Sequence, residues 1–293
     1  MDLKVNFSGR AIRYTEEEIA VVVDVMRNAD TLTQGVHMRD FESKFASYQG
    51  VAQGSCFVTM NGVSALELSA QLCRFKPGDE VVMPSHTFTA SAYPYIKKGA
   101  TMAWADVDLL TRVVTAESIE KAITPRTKAV VVVHLYGYVA DMVGIAALCK
   151  ERGLILIEDA AQSIGSELNG KKAGSFGDMA VFSFHSHKNL TTLGEGGMLY
   201  VRDPKLAALV PTLRHNGHCG YDFERPDYWK PAMMAPPRAL RVKITVQAGQ
   251  RERKRMLQLK PGRSGSRASA APGRESNINW ASSRGERPLV RIR

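Results

Sequence analysis

Between Tyr14 and about residue 215, short apolar runs rich in β-branched residues alternate with longer amphipathic stretches. No other feature constrains the fold as much. Strands that are apolar throughout are buried on both faces, and the amphipathic segments between them supply the covering helices of a mainly parallel sheet. The expected fold is therefore α/β and doubly wound. Strands are predicted at Cys56–Met60, Glu80–Pro84, Thr101–Ala105, Ala129–His134, Leu154–Glu158, Met179–Phe184 and Met198–Val201. Helices are predicted at Glu16–Arg27, Arg39–Tyr48, Ser64–Arg74, Thr87–Lys98, Ala116–Ala122, Met142–Arg152 and Pro204–Leu213. In GSELNGKKAGSF, the dipeptide Asn169-Gly170 supplies positive φ at both centres of a tight hairpin, which is expected to follow the Glu158 strand.

Composition narrows the class. With 293 residues, 44% apolar and 23% charged, the chain can bury a sizeable core. Its start, MDLKVNFSGR, has no apolar signal core, and no stretch approaches the roughly 18 apolar residues of a membrane span. A cytoplasmic protein without a membrane partner is expected. Cys56, Cys73, Cys149 and Cys219 are scattered, with no CxxC pair, which points to reduced thiols and neither a disulfide framework nor a zinc site.

The net charge of +10 suggests nucleic acid until it is divided along the chain. Residues 233–293 hold 15 Lys/Arg and 3 Glu, whereas residues 1–232 hold 24 basic and 26 acidic groups. The basicity belongs to the tail alone. That tail lacks Asp, His, Phe, Tyr and Cys and has no sustained period, so it is expected to be disordered. It reads either as a basic arm, five of whose cations fall at Arg251–Arg255 and Lys260 and which would bind nucleic acid non-specifically, or as the product of a shifted reading frame. The abrupt excess of Arg, Ala, Gly, Pro and Ser favours the second.

Chemistry concentrates between Leu156 and Gly197, where one strand ends in EDAAQSIG and another in FSFHSHKNLTTLGEGGM. Asp159 and Lys188 both fall just past predicted strand ends, where ligands of open α/β sheets sit. An amine there can form a Schiff base, and a buried carboxylate can hold a pyridine nitrogen protonated so that the ring becomes an electron sink. At ~4 Å and an effective dielectric of ~20 such a pair is worth about 4 kcal/mol. Taken alone, Asp159 reads as a helix N-cap and Lys188 as a solvated loop lysine. His185 and His187 have an HxH spacing, but no further ligand motif completes a metal site, so no metal is expected. His86 and His134 read as packed residues beside the pocket. The NGVS turn at Asn61–Ser64, which opens a helix, presents free N–H groups to an anion.

In this order, EDAAQSIG, SFHSHKNL and GEGGM resemble the fold-type I nucleotide-sugar aminotransferases of the DegT/StrS family. The resemblance extends over about residues 10–232 through RYTEEEIAVVVDVMRNADTLTQG, FESKFASYQGV, MNGVSALEL, MPSHTFTASA, ITPRTKAVVVVHLYG and LRHNGHCGYD. It implies that Lys188 carries pyridoxal 5′-phosphate (PLP), that Asp159 pairs with its pyridine nitrogen, and that Gln162 lies near the ring hydroxyl. It also implies that Ser183 contacts the phosphate with Gly62, Val63 and Ser64, and that Phe88 stacks on the ring. Family members usually carry Thr where this chain has Val63, and the Ser64 hydroxyl is expected to replace it. Tyr136 and Gly137 fit the HLYG turn, whereas Tyr138-Val139 departs from it.

Relatives with histidine in place of the lysine remove a hydroxyl; this chain keeps lysine, so transamination is implied. An amino-acid donor, typically glutamate, displaces Lys188, which then relays a proton, and the amine passes to a keto group on a nucleotide-linked sugar. The intact family implies a homodimer. The resemblance stops at about Ala232, where relatives continue into a small domain, so that domain is expected to be missing here and turnover to be impaired. The competing expectation is an inactive fragment or a basic-tailed binding protein.

Overall fold

The computed structural model describes residues 13–215. The tail from residue 233 and most of LRHNGHCGYD lie outside the described residues. In chain order the elements are α1 (Glu16–Asn28), α2 (Val36–Gln49), β1 (Cys56–Thr59), α3 (Gly62–Cys73), β2 (Glu80–Pro84), α4 (Tyr93–Lys97), β3 (Thr101–Ala105), α5 (Ala116–Ala122), β4 (Thr127–Val133), α6 (Met142–Arg152), β5 (Ile155–Asp159), β6 (Glu167–Leu168), β7 (Lys171–Lys172), β8 (Met179–Ser183), β9 (Gly197–Val201), α7 (Pro204–Ala207) and α8 (Val210–Arg214).

Seven strands form one sheet in the order β1-β9-β8-β5-β4-β2-β3. The pairs from β3 across to β8 are parallel, and β9 is antiparallel to both of its neighbours, so β9 alone runs against the rest. The carboxyl ends of β1, β2, β4, β5 and β8 therefore meet the start of β9 along one edge. The four valines Val130–Val133 are buried, as the uninterrupted apolar run requires of a central parallel strand. On the other half of the sheet, α2 brings Phe45 against Phe182, with ring centroids 4.9 Å apart.

Helix termini follow local chemistry. Thr15 and Glu18 make a reciprocal capping box at α1. Gly153, at φ 64°, closes α6 in the left-handed region. Asn169 (φ 53°) and Gly170 (φ 75°) form the expected turn between β6 and β7. Two expected helices are broken. The Thr87–Lys98 segment becomes a 3₁₀ turn at Thr89–Ser91 followed by α4, because Pro94 lacks an amide and clashes with the carbonyl four residues back unless it sits in a first turn. Pro211 divides Pro204–Leu213 into α7 and α8 in the same way. Among the described residues no helix is long and apolar enough to cross a membrane.

Candidate active site

At the shared edge of the sheet lies a cavity of about 380 Å³, walled by Gly62, Val63, Phe88, Asp159, Gln162, Ser183 and Lys188. Seven of the eight predicted site residues thus face one space. Ser64 is the eighth, and it lies behind the turn: its amide and its hydroxyl both donate to Asn61 Oδ1, at 2.9 and 3.0 Å. The hydroxyl expected to substitute at Val63 is therefore committed to the helix cap.

One end of the cavity suits an anion. Asn61 caps α3 through Ser64, which leaves the Gly62 and Val63 amides as first-turn donors without an intrahelical acceptor. Backbone is packed tightly there. A Cβ on Gly62 would stand 3.1 Å from Ser183 Cβ, and one on Gly197 would stand 2.5 Å from Asn61 O and 2.6 Å from Thr59 Oγ1. The glycines of GEGGM thus let β9 press against the turn. Ser183, at the end of β8, accepts from the His185 amide at 3.4 Å, and its own proton stays available.

Asp159 ends β5 and is 6% exposed. Its Oδ2 accepts from Ser91 Oγ at 2.7 Å and its Oδ1 from the Ala161 amide at 3.1 Å. The neighbouring Glu158 points the other way and is fully buried, bonded to His134 Nε2 at 2.9 Å and to the amides of Gly174, Phe176 and Gly177. His134 Nδ1 accepts from the Ala140 amide at 3.4 Å, on the side of the ring away from Glu158. Gln162 is oriented from the backbone: its Oε1 accepts from the Tyr136 amide at 2.9 Å, which leaves its NH₂ as the free donor. Tyr136 holds φ 55°, a strained value for a non-glycine residue, followed by Gly137 at φ 87°.

Lys188 sits half-buried in the loop between β8 and β9, its amide bonded to His185 O at 2.8 Å. Among the described residues its ammonium makes no ion pair, while Glu195, 3.8 Å from His185 Nε2, lines the same cavity. Phe88 is 69% exposed at the mouth, held in extended backbone before the 3₁₀ turn. Cys56, Cys73 and Cys149 are buried, and burial pushes their thiols up to about 12, which removes them as nucleophiles. Reasoning from the sequence missed Ser91, Thr87 and the Tyr136 amide. The hydroxyls of MPSHTFTASA were visible, but nothing local to them announces a partner 68 residues away.

These groups fit PLP. The ring would lie between an exposed aromatic and a strand end, with a buried carboxylate for its nitrogen, an amide donor for its hydroxyl, two free helix amides and a hydroxyl for its phosphate, and an amine within the same walls.

The sequence is 40% identical over 218 residues to a UDP-N-acetyl-3-dehydro-α-D-glucosamine 3-aminotransferase of Acidithiobacillus ferrooxidans, covering 74% of this chain and 57% of that protein. The chain thus spans little more than half of that relative's length. Among solved structures, the aminotransferase TlmJ from Streptoalloteichus hindustanus is similar with a TM-score of 0.71 at 37% identity, over 76% of this chain and 59% of TlmJ. The E. coli GDP-4-keto-6-deoxy-D-mannose-3-dehydratase with bound hydrated PLP gives 0.68 at 26% identity, over 73% of this chain and 56% of that one. Residues 13–233 match the DegT/DnrJ/EryC1/StrS aminotransferase family, and the chain belongs to it.

Proposed function

We propose that the cavity holds PLP on Lys188 and that this chain forms the cofactor-binding part of an enzyme transferring an amino group, from glutamate or a similar donor, to the keto group of a nucleotide-linked sugar. The observation that carries this reading is the convergence of Asp159, Gln162, Ser183, Phe88 and the Asn61 turn on the cavity that Lys188 lines. When bound, PLP supplies a conjugated ring that takes up the electron pair released at the amino carbon.

The protein's own groups do the rest. The Gly62 and Val63 amides and the Ser183 hydroxyl hold the phosphate against the dipole of α3. Asp159 accepts a hydrogen bond from the protonated ring nitrogen, and the Gln162 NH₂ donates to the ring hydroxyl. Phe88 covers one face and excludes water from it. Lys188 would hold the cofactor through Nζ, and the same amine, when free, would carry a proton between the donor carbon and the cofactor. Relatives named for UDP- and GDP-linked sugars support the substrate class. The reading extends to a cytoplasmic homodimer serving polysaccharide or secondary-metabolite sugar synthesis.

The test is spectroscopic. Full-length protein mixed with PLP is expected to develop a visible absorption band that changes when glutamate is added. Lys188→Ala is expected to abolish the band while shifting stability by less than about 0.5 kcal/mol, since the residue lies in a half-exposed loop. A band that persists in Lys188→Ala would take the lysine out of this assignment.

A further inference from the structure

We infer that Ser91 is a positioning residue for Asp159, and that Thr87 acts on the same carboxylate through Ser91. This rests on the reading of Asp159 as the partner of the ring nitrogen.

Three hydroxyl and carboxyl groups form a directed chain. Ser91 Oγ donates to Asp159 Oδ2 at 2.7 Å, and Thr87 Oγ1 lies 2.7 Å from Ser91 Oγ. A serine hydroxyl has one proton, and here the carboxylate receives it, so Thr87 must be the donor in the second bond. The direction is set by chemistry. Thr87 gives to Ser91, and Ser91, polarised by that bond, gives to Asp159.

The chain is also held rigidly. Ser91 is 1% exposed and occupies the last position of the 3₁₀ turn that Pro94 forces before α4. The helix after it is anchored by Tyr95, which is fully buried with its hydroxyl 2.9 Å from Ser69 Oγ on α3. Ser69 gives its proton to Leu66 O, so Tyr95 is the donor there, and burial drives the Tyr95 hydroxyl well above its ordinary range and keeps it protonated. The same helix α3 carries the amides at the anion end. That packing contact therefore ties the segment carrying Ser91 to the helix whose first turn forms the phosphate end of the cavity.

Asp159 needs such support. With Ala161 on Oδ1 and Ser91 on Oδ2, two of its roughly four acceptor positions are filled from fixed directions and the remainder faces the cavity. Without Ser91 the carboxylate keeps one tether and can swing away from a ring nitrogen; at metal centres, losing the hydrogen bond that orients a ligand changes affinity about 10- to 100-fold.

The experiment measures PLP affinity of the full chain by absorbance titration, beside that of 1-deazapyridoxal phosphate, whose ring carries C–H in place of the nitrogen. Ser91→Ala is expected to weaken PLP about tenfold and the deaza analogue less than twofold. Thr87→Val is expected to weaken PLP about threefold alone and not at all further in the Ser91→Ala background, since it acts through Ser91. Ser91→Thr, which keeps the hydroxyl, should restore most of the PLP affinity. Equal losses for both ligands, or additive losses in the double variant, would overturn the inference and leave the wider reading intact. A wild-type chain that binds PLP and the deaza analogue equally well would overturn the Asp159 assignment and this inference with it.

Discussion

Glu158 and Asp159 are consecutive on β5, and strand alternation sends their buried carboxylates to opposite faces of the sheet. On one face Glu158 collects four donors: His134 Nε2 and the amides of Gly174, Phe176 and Gly177. On the other face Asp159 has two donors among the described residues, Ser91 and Ala161, and opens on the cavity. A carboxylate accepts about four hydrogen bonds. Glu158 is therefore full and ties the 174–177 loop to the sheet, whereas Asp159 keeps capacity for a ligand. The lesson is that burial alone does not separate a carboxylate whose acceptor positions are filled from one that can still take a ligand; the unfilled positions do.

The sharpest way to break this contrast is to remove one charge at a time. Glu158→Gln turns an acceptor oxygen into a donor facing N–H groups, so it is expected to cost about 3 kcal/mol or more in stability. Asp159→Asn is expected to cost under about 1 kcal/mol in the ligand-free chain, because the Ser91 hydroxyl can turn to accept from the new amide. Its loss appears instead as PLP affinity weakened at least about tenfold. Denaturant midpoints for the two variants decide the matter, and similar stability losses would erase the distinction.

A second variant probes how tightly the cavity face is built. Gly197→Ala places a methyl within 2.6 Å of Thr59 Oγ1, at the end of β1, and against the Asn61 carbonyl, in the turn that opens α3. Overpacking of this kind costs about 2 kcal/mol. The turn must move, so PLP binding should fall along with stability. A variant that keeps wild-type midpoint and affinity would mean that the turn is looser than its contacts imply.

How much of this was legible in the sequence differs between the same two faces. The strands were readable because parallel strands buried on both faces are written as apolar runs, and Val130–Val133 is the plainest case. That Lys188, Asp159 and the Asn61 turn gather at one cavity was readable because each follows a strand end inside a recognisable motif. Glu158 was read only as a strand terminus, since three of its four partners are backbone amides 16 to 19 residues further on, which carry no residue signature, and the fourth, His134, stands 24 residues before it. Ser91 was hidden inside a predicted helix that Pro94 breaks. The Tyr136 amide could not be found by residue type at all, because its role comes from a left-handed backbone and not from its side chain.

The smallest expected effect lies at Val63, where the family resemblance implies a threonine. Val63 is 37% exposed on the cavity wall at the second position of α3, and the nearby Ser64 hydroxyl is bound to Asn61 Oδ1. The anion end therefore relies on the two helix amides and Ser183. Threonine matches valine in shape, so Val63→Thr adds a donor without changing the packing, and stability should stay within about 0.5 kcal/mol. One added hydrogen bond to a charged phosphate at a partly exposed position should tighten PLP about three- to tenfold. Titration with pyridoxal, which lacks the phosphate, provides the control: its affinity should not change. A gain of equal size for pyridoxal would mean that residue 63 touches the ring and not the phosphate, and the anion end would have to be placed elsewhere on the cavity wall.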